Sequence, residues 1–431
     1  MSTKKKIAIV FISGSAGELD WILPILNYLL KKNFNIKIIF LTRHALKSVE
    51  ENSMCNDFIK QKNSKIKIVI SGGYFFEKIE RFGYLTYRLF LKLKLLNVPL
   101  IKTLYNLYDS LQKFIFMARL PSEILNSEEE AYLFISEFPS LRRPRDKWIK
   151  SKFKKSTFFY CPHSPHIYAE ELDREYNESD PIDFNQKSFL LLGHPSDYYA
   201  INDGKELAAT DLEKLFIGHP KYSQSWLQNL KQKAKEFRKS YATRQKINIL
   251  ILGRGYGSYL DKNSHIHLVN STIRTIENLL PEHNLLVKKH PREISSQWDE
   301  VLCDFPSIEI VNEHILQLAS KVDFAISFWG SGSMDCFMLG VPVIEYWNPV
   351  KHNKQQVPDN DSFTTIYRKL RIVLPANNEQ ELSNQISSLL NNNYNFPLND
   401  VHTFFSKLIT RSNKWTEVIE QVLLSNNLSN D

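Results

Sequence analysis

The sequence predicts an α/β protein with two Rossmann-like domains, and three observations support that prediction. Short apolar runs of strand length alternate with stretches of helical periodicity. The alternation stops once, at a polar, lysine-rich stretch, and then starts again. A length of 431 residues suits two domains. We therefore predict an N-terminal domain over residues 1–222, a join over 223–245, a C-terminal domain over 246–400, and a C-terminal helix and tail over 401–431.

The composition favours a globular protein with anionic partners. The formal net charge of +8 indicates phosphates, acidic lipid surfaces or nucleic acid as binding partners. The four cysteines lie far apart and form no C-x-x-C pair, which argues against a zinc site and a disulfide framework. This cysteine usage predicts a reducing, cytoplasmic location. No apolar run reaches the roughly 18 residues that a membrane-spanning helix needs.

The beginning of the chain has the pattern of a parallel βαβ unit. Residues 7–12 and 36–41 are predicted strands, and 19–31 have the spacing of an amphipathic helix. A turn of small residues joins the first strand to the helix. In an open parallel sheet this loop lies at the carboxyl edge, where ligands bind. Glu18 and Asp20 are the acids available there, and each is either a general base or an acid at the helix N-terminus.

A strand at 66–70 is followed by a stretch of different character, 77–120. It is rich in lysine, arginine, leucine and aromatic residues, and Pro99 divides it into two helices. Basic residues interleaved with aromatic ones are typical of helices on an anionic membrane surface. The same pattern fits a helical hairpin packed on the sheet with its lysines in solvent. Peripheral association with the inner membrane face depends on the first interpretation.

Two further strands end in polar residues that suit a site. The strand at 131–137 ends at Glu137, and the strand at 157–161 leads into a Pro-His-Ser-Pro-His loop. His163 and His166 in that loop fit phosphate binding or proton transfer near neutral pH. No third ligand lies near them, so we predict no metal site. This half then continues with strands at 188–193 and 215–218 and a lysine-rich helix at 223–244.

A second α/β pattern begins with a strand at 246–252, followed by Gly253, Arg254 and Gly255. Glycines around an arginine directly after a strand fit a loop that binds a pyrophosphate. The Gly-Lys-Ser/Thr ending of a P-loop is missing, which argues against ordinary ATP or GTP hydrolysis.

The next strand of this half delivers basic residues into one loop. It spans 284–289 and leads into Lys289, His290 and Pro291. This loop is either an anion site, with proline fixing its shape, or a basic turn in solvent. The elements around it are predicted as helices at 271–280 and 315–320 and a strand at 308–311.

The stretch from 321 to 347 is the one around which this half is organised. Its elements are a strand at 322–328, a Trp-Gly-Ser-Gly-Ser turn at 329–333, a helix at 334–339 and a strand at 341–344. Gly340 suits the end of the helix. The turn would direct amides and hydroxyls at a phosphate above the strand ends. Asp335 either binds a ribose diol or caps an ordinary crossover. The chain then ends with a strand at 372–374, helices at 379–390 and 401–424, and a tail from 425 that we expect to be disordered.

Two of these segments resemble a known family. The Lys-Lys-His-Pro-Arg-Glu run at 288–293 and the segment 327–347 are similar to the C-terminal half of GT-B glycosyltransferases. Within that group they resemble the bacterial surface-polysaccharide branch, which includes polysialyltransferases, capsule transferases and teichoic-acid glycerophosphotransferases. That branch carries a His-Pro motif and a Ser-rich motif before a Gly-x-Pro strand. The Ile-Gly-His-Pro turn at 217–220 is also similar to a turn of this family, so the motifs span 215–350.

The UDP-N-acetylglucosamine 2-epimerases share this architecture, and the first turn of this chain is weakly similar to theirs. Epimerases typically carry an Arg-Gln pair after the Gly-x-Pro strand, where this chain has Glu345, Tyr346 and Trp347. The acid of their Ser/Gly helix is usually glutamate, whereas here it is the shorter Asp335. The chain therefore departs from the epimerase pattern at both places.

The resemblance implies two domains that face each other across a cleft, with a UDP- or CMP-linked sugar donor in the C-terminal one. The residues that would hold the donor are Gly253, Arg254, Gly255, Lys289, His290, Pro291, Ser327, Gly330, Ser331, Gly332, Ser333 and Asp335. The residues on the acceptor side would be Gly14, Ser15, Gly17, Glu137 and His166. The catalytic base would be Glu18 in the first place, with Asp20, Glu137 and His163 as alternatives. GT-B enzymes generally need neither a bound metal nor a further cofactor.

Three functions follow as hypotheses. The first is a glycosyltransferase that acts on a saccharide or lipid-linked acceptor in capsule, O-antigen or lipooligosaccharide synthesis. The second is another enzyme of activated sugars or polyols, either a 2-epimerase or a CDP-glycerol-type polyol-phosphate transferase. The third is a basic, non-enzymatic binding protein. The sequence has no RNA-binding signature, so nucleic acid is not a predicted partner.

Overall fold

The computed structural model describes residues 6–61, 64–70, 132–137, 144–162, 182–194, 212–239, 246–257, 260–290, 296–305, 308–352, 357–359, 362–391 and 400–428, with the single residues 103, 107, 110, 114, 167 and 172. Within these residues the chain forms two parallel sheets, one in each half. The predicted α/β fold with two Rossmann-like domains is confirmed.

The N-terminal sheet has seven described strands, each parallel to its neighbours. They are β1 (Ile7–Ile12), β2 (Asn35–Phe40), β3 (Ile66–Ile70), β4 (Tyr132–Glu137), β5 (Thr157–Cys161), β6 (Ser188–Leu192) and β7 (Glu213–Phe216). Their order in the sheet is β3-β2-β1-β4-β5-β6-β7. The described helices of this half are α1 (Ala16–Lys31), α2 (Arg43–Glu50), α3 (Ser53–Lys60) and α4 (Pro144–Lys152).

Strand β1 shows why these strands appear in the sequence as continuous apolar runs. All six of its side chains are buried. Ala8 and Val10 lie in a core cluster with α1, whereas Ile7 and Ile9 lie in a second cluster with α4. Successive side chains of a strand point to opposite faces of the sheet. Because helices cover both faces, every position of the strand has to be apolar.

The C-terminal sheet repeats the arrangement with six parallel strands in the order β10-β9-β8-β11-β12-β15. Its strands are β8 (Ile247–Leu252), β9 (His283–Lys288), β10 (Glu309–Ile310), β11 (Phe324–Ser327), β12 (Val343–Tyr346) and β15 (Leu374–Ala376). A separate antiparallel pair consists of β13 (Val357–Asp359) and β14 (Ser362–Thr364). The described helices of this half are α5 (Gln224–Lys239), α6 (Lys262–Leu279), α7 (Ser296–Leu302), α8 (Ile315–Ala319), α9 (Gly332–Met338), α10 (Ile366–Lys369) and α11 (Glu379–Leu390).

The starts of helices α6 and α9 differ from the predicted ones, and capping explains the first of these differences. Helix α6 begins nine residues before the predicted start, since the Asp261 carboxylate accepts the backbone N–H of Ser264 at 2.9 Å and caps it. Helix α9 begins at Gly332, inside the predicted turn. The predicted end of α9 is confirmed, because Gly340 has a φ of 71° and the Val341 amide donates to the Cys336 carbonyl at 3.0 Å.

The end of the chain differs from the prediction. The single helix expected at 401–424 is two helices, α12 (Thr403–Ser412) and α13 (Trp415–Ser425). Helix α12 packs in the C-terminal core, through Phe404 and Leu408, whereas α13 packs in the N-terminal core, through Trp415 and Ile419. The break redirects the chain from one core to the other. The prediction of a disordered tail from residue 425 is wrong at least as far as Leu428, which is buried in the N-terminal core.

The connection between the two sheets is a tight turn held from both sides. After β7, Gly218 adopts a φ of 67°, and a 3₁₀ turn follows at Pro220–Tyr222. The backbone N–H of His219 donates to the Ser412 hydroxyl at 2.9 Å. The Nδ1 atom of His219 accepts the indole N–H of Trp21, on α1, at 3.0 Å. The turn is therefore fixed both to the N-terminal domain and to the end of α12.

Candidate active site

In both sheets the strand order reverses beside the first strand of the domain, between β1 and β4 and between β8 and β11. Open α/β sheets bind ligands outside the carboxyl ends of the strands at such a reversal. The loops that follow these four strands carry most of the described residues that the sequence analysis selected. The fold thus places two candidate half-sites, one per domain.

The N-terminal reversal contains a crevice lined by Ile12, Glu18, Ser136, Glu137 and Pro162, among others. Glu18 comes from the start of α1 and Glu137 from the end of β4, so the sheet brings together two acids that are far apart in sequence. Carboxylates in one crevice can accept a proton or hydrogen bonds from hydroxyl groups. This crevice is the candidate acceptor half-site.

Glu18 also shapes the loop in which it lies. Its carboxylate accepts the backbone N–H groups of Ser13, at 2.8 Å, and of Gly14. A side chain at position 14 would collide with this carboxylate, because a Cβ atom there would lie 2.6 Å from Oε1. Ser15 caps α1 by accepting the Gly17 amide at 3.3 Å. Gly14 and Ser15 in the loop, and Gly17 in the first turn of α1, therefore surround Glu18.

Asp20 lies two residues further along α1, about half a turn round the helix from Glu18, and contacts the other half of the chain. Its Oδ2 atom is 3.0 Å from Nζ of Lys221, and its Oδ1 atom is 2.8 Å from Nε2 of His314. The Nδ1 atom of His314 accepts the Leu316 amide at 3.1 Å, so Nε2 carries the proton that is donated to Asp20. The two oxygens of Asp20 thus bind two different partners.

Lys221 joins this acid to a second one. Its Nζ atom also lies 3.0 Å from Oδ1 of Asp335, on α9. The side chains of Lys221 and Asp335 are 9% and 7% exposed, so the pair is almost entirely out of water. We call Asp20, Lys221, His314 and Asp335 the interdomain cluster, because α1 belongs to one domain and α9 to the other.

The charges of this cluster stabilise each other. Burial by itself would raise the pKa of Asp20, but Lys221 and His314 outweigh it and hold that pKa well below its usual value. Burial would lower the pKa of Lys221, but Asp20 and Asp335 raise it well above its usual value. A carboxylate with a lowered pKa is a weak base. Asp20 is therefore better suited to holding the cluster than to abstracting a proton.

The cluster also bears on the predicted ribose site. The carboxylate of Asp335 faces Lys221 across 3.0 Å and is nearly inaccessible to solvent. A ribose diol would have to displace Lys221 to reach it, which would leave a buried lysine without one of its two carboxylates. In this arrangement the Asp335 carboxylate contacts Lys221, and its binding of a ribose stays a prediction.

Sequence reasoning missed Lys221 and His314. Lys221 directly follows the Gly-His-Pro turn that the family resemblance identified, but a lysine next to a lysine-rich join carries no sign of burial. His314 precedes a helix of five residues, α8, and looks like any N-cap residue. The only sequence signal for His314 was a polar residue at the start of a predicted helix.

At the C-terminal reversal, Arg254 packs against Trp329. It follows β8, and its guanidinium lies 4.3 Å from the centre of the Trp329 ring, with Nη1 donating to the Trp329 carbonyl at 3.3 Å. Gly253 donates its amide to the Lys288 carbonyl at 2.9 Å, which joins the loop of β8 to the end of β9. Lys289 and His290 follow directly on β9. The two basic loops are therefore neighbours.

The serines of the predicted phosphate turn divide into two sets. Ser331 is exposed, and Gly330 and Gly332 are half-buried. Ser327 and Ser333 are completely buried, and their hydroxyls have no hydrogen-bond partner among the described residues. The Ser333 amide already donates to the Gly330 carbonyl at 3.1 Å. A phosphate at this turn would meet Gly330 and Ser331 before the buried hydroxyls.

Where the epimerase pattern has an Arg-Gln pair, this chain has a buried acid with a structural partner. Glu345 is fully buried, and its Oε2 atom accepts Nε of Arg368 at 2.7 Å and the Thr365 hydroxyl at 2.6 Å. Burial raises the pKa of Glu345, although Arg368 and Thr365 oppose that effect. The acid ties β12 to α10, which accounts for the departure from the epimerase pattern.

Behind the β8 loop lies a buried histidine with no partner for either ring nitrogen among the described residues, His265. Its ring meets Trp298 edge-on, with centres 5.3 Å apart. A Cβ atom at Gly253 would lie 2.5 Å from the same tryptophan, so the loop rests on this aromatic layer. Burial lowers the pKa of His265 to about 4. The imidazole is therefore neutral at pH 7.

We expect the protein to lose stability as the pH falls from 7 to 5, and His265 to be one cause. As the pH falls below 6.5, His265 becomes protonated in the unfolded chain but stays neutral in the folded chain. The stability that is present above pH 6.5 is therefore lost as the pH falls towards about 4. At pH 5 the loss from this residue is about 2 kcal/mol. Chemical denaturation at pH 7 and pH 5 measures it. His265→Leu should lose less over this interval, whereas His267→Leu, an exposed position on the same helix, should behave as wild type.

Several predicted residues lie outside the described part of the chain. These are His163, His166 and Pro291, together with all of the stretch 77–120 except Thr103, Leu107, Ser110 and Phe114. Among the residues that the structure does describe, no group of three or more His, Cys, Asp or Glu side chains is arranged to hold a metal ion. No helix within the described ranges is both long and apolar enough to span a bilayer.

Comparison with known proteins identifies the fold. No protein-family model and no curated protein sequence matches the chain. The UDP-GlcNAc 2-epimerase of Methanocaldococcus jannaschii, solved with UDP-GlcNAc and UDP, is similar in structure with a TM-score of 0.50 at 14% identity, over 96% of this chain and 99% of that one. A putative UDP-N-acetylglucosamine 2-epimerase from Listeria monocytogenes gives a TM-score of 0.51 at 10% identity, over 100% and 98%. The chain has a GT-B-type fold.

A third structure, the wall teichoic acid polymerase TagF, gives a TM-score of 0.48 at 13% identity, over 98% of this chain and 89% of the polymerase. At identities this low, structural similarity shows the fold and not the reaction. The GT-B-type fold places the two half-sites on opposite domains. Which reaction they carry out has to be argued from their residues.

Proposed function

We propose that this protein is a glycosyltransferase that moves a sugar from a nucleotide-activated donor to a saccharide or lipid-linked acceptor, as bacterial surface-polysaccharide synthesis requires. The observation that supports it is the opposite chemistry of the two sheet reversals. The C-terminal one carries Arg254, Lys289 and His290, whereas the N-terminal one carries Glu18 and Glu137. Cations suit the phosphates of a donor, and carboxylates suit the hydroxyls of an acceptor.

The reaction assigned to this arrangement is a displacement at the anomeric carbon. A carboxylate of the N-terminal crevice, Glu18 or Glu137, takes the proton of the acceptor hydroxyl. The acceptor oxygen then bonds to the anomeric carbon, and the bond from that carbon to the donor phosphate oxygen breaks. The electron pair leaves with the phosphate, where Arg254 and Lys289 stabilise the added negative charge. No step of this scheme needs a metal ion.

A membrane-linked acceptor agrees with two further observations. The net charge of +8 favours an anionic surface. Leu107 and Phe114, two of the four described residues in the basic stretch 77–120, are helical and 64% and 68% exposed. Exposed apolar side chains beside lysines and arginines suit the interface of a bilayer. These observations support a peripheral location at the inner membrane face.

The first test is the thermal stability of the protein with UDP, CMP, CDP, GDP and ADP at fixed salt. A nucleotide at 100 times its Kd stabilises the folded state by about 2.7 kcal/mol, so Tm should rise by several degrees with at least one of them. Arg254→Ala should reduce the shift, because binding at the same nucleotide concentration becomes weaker. Arg274→Ala, an exposed arginine on α6, should retain it. If none of the five nucleotides raised Tm, the proposal would be wrong.

The second test separates transfer from epimerisation. The protein is incubated with the sugar donor of the nucleotide that binds, first without an acceptor and then with membrane extract. A transferase should leave the sugar configuration unchanged in the first incubation and consume the donor in the second. Appearance of the 2-epimer without an acceptor would instead assign the chain to the epimerases.

A further inference from the structure

Trp329 has a backbone conformation that its residue type disfavours. Its φ is 62°, in the left-handed region, where a bulky side chain is strained. The described part of the chain has three other non-glycine residues with positive φ, Asn33, Arg371 and Asn427, and two of them are asparagines, which tolerate it. Strained residues of this kind concentrate at functional sites. Glycine would fit position 329 without strain, so the indole ring itself has to have a use.

The surroundings of the ring show what that use is. It packs near Trp347 and Tyr367, with ring centres 6.0 Å and 6.4 Å away. The guanidinium of Arg254 lies over the ring, 4.3 Å from its centre. The carbonyl of Trp329 accepts Nη1 of the same arginine at 3.3 Å. Ring and carbonyl together hold the guanidinium in one place beside Trp329.

A guanidinium held in this way has a defined donor edge. Its five N–H groups lie in one plane and match two oxygens of a phosphate group, and stacking on an aromatic ring fixes that plane before a ligand arrives. The edge lies at the reversal of the C-terminal sheet, beside the loop that carries Lys289 and His290. Arg254 together with Lys289 on the neighbouring loop matches the two charges of a diphosphate better than the single charge of a CMP-linked donor.

We propose that Trp329 is a positioning residue that orients Arg254 for a diphosphate, and that the donor is therefore a nucleoside diphosphate sugar and not a CMP-linked sugar. This inference rests on the proposed function, because it concerns the same donor site. It adds the class of donor and a residue that the sequence pattern does not select. The strain at position 329 is retained because it places the ring beneath the arginine.

The test is calorimetric titration of the full chain with UDP, CDP, GDP and the corresponding monophosphates. Wild type should bind one diphosphate about tenfold more tightly than its monophosphate, since a bidentate ionic contact is added. Trp329→Gly, which removes the ring and the strain, should weaken diphosphate binding by about tenfold and monophosphate binding by less than about twofold. Trp329→Phe keeps a smaller ring, so its diphosphate affinity should lie between those of wild type and Trp329→Gly. This variant replaces the glycine variant in the test if the latter does not fold.

Two further variants distinguish positioning from general damage. In an Arg254→Ala background, Trp329→Gly should cause no additional loss of diphosphate binding, because the tryptophan acts through the arginine. Trp226→Phe, a tryptophan substitution on α5, should leave all affinities at their wild-type values.

Each remaining outcome contradicts a specific statement. If wild type binds nucleotides but shows no preference for diphosphates, or if Trp329→Gly weakens mono- and diphosphates equally, the inference is wrong and the proposed function stands. Additive losses in the double variant would also overturn the positioning role. If wild type binds none of the six nucleotides, the proposed function fails and this inference fails with it.

Discussion

Replacement of Lys221 by methionine should destabilise the protein by about 3–5 kcal/mol, the usual cost of removing one partner of a buried ion pair. Methionine has a similar length but no charge, so Asp20 and Asp335 would remain buried without the cation that lies 3.0 Å from each of them. Their mutual repulsion would then act in a medium of low polarity. The cluster joins α1 to α9, so the contact between the domains should weaken as well.

Chemical denaturation at pH 7 measures this effect, and small-angle X-ray scattering reports any opening of the domains. The matched control is Lys32→Met, which removes a half-exposed lysine paired with Glu420. Exposed pairs contribute about 0–1 kcal/mol, so this control should be nearly neutral. In an Asp335→Asn background the cost of Lys221→Met should shrink, because one of the two unpaired charges is already gone. Equal costs for the Lys221 and Lys32 variants would show that the cluster does not stabilise the fold.

Replacement of Gly218 by alanine should cost roughly 2–4 kcal/mol, from strain and overlap together. The backbone at this position has a φ of 67°, which disfavours any side chain. A Cβ atom would also lie 2.3 Å from the backbone nitrogen of Ser412 and 2.7 Å from its Cα. Backbone atoms at the end of α12 cannot rotate away as a side chain could, so the turn and the helix would have to separate.

The melting temperature of Gly218→Ala measures the loss, and hydrogen exchange locates it. Faster exchange is expected at His219, whose amide donates to the Ser412 hydroxyl, and at the end of α12. Gly330→Ala is the control, since a Cβ atom there would have no neighbour within 4 Å and the backbone is not in the left-handed region. A Gly218→Ala protein as stable as this control would mean that the turn can relax without cost.

The strands and the fold class could be predicted because their signals are local. A strand covered by helices on both faces has to be apolar at every position, so β1 and β5 stand out as short apolar runs. Parallel order then follows from the alternation of strands with helices. Boundaries that depend on capping, such as the start of α6 at Lys262, were predicted less well, since one hydrogen bond from Asp261 decides them.

The residues of the candidate site were predicted in part for a similar reason. Ligand loops follow strand ends, so Arg254 and Glu137 could be selected from their place in the sequence. Trp329 could not, because neither its left-handed backbone nor the arginine 75 residues away is visible in a Trp-Gly-Ser pattern.

The interdomain cluster depended on the tertiary structure alone. Asp20 meets Lys221 across 201 residues and His314 across 294 residues. The local sequence pattern specifies which segments become strands and helices, because the spacing of apolar residues determines which face of each element is buried. Which polar side chains meet depends on how two separately folded sheets and a returning C-terminal helix pack together, and no periodicity encodes that. The same packing buries Asp335 against Lys221, a contact between the two domains that its place in the Ser/Gly turn does not reveal.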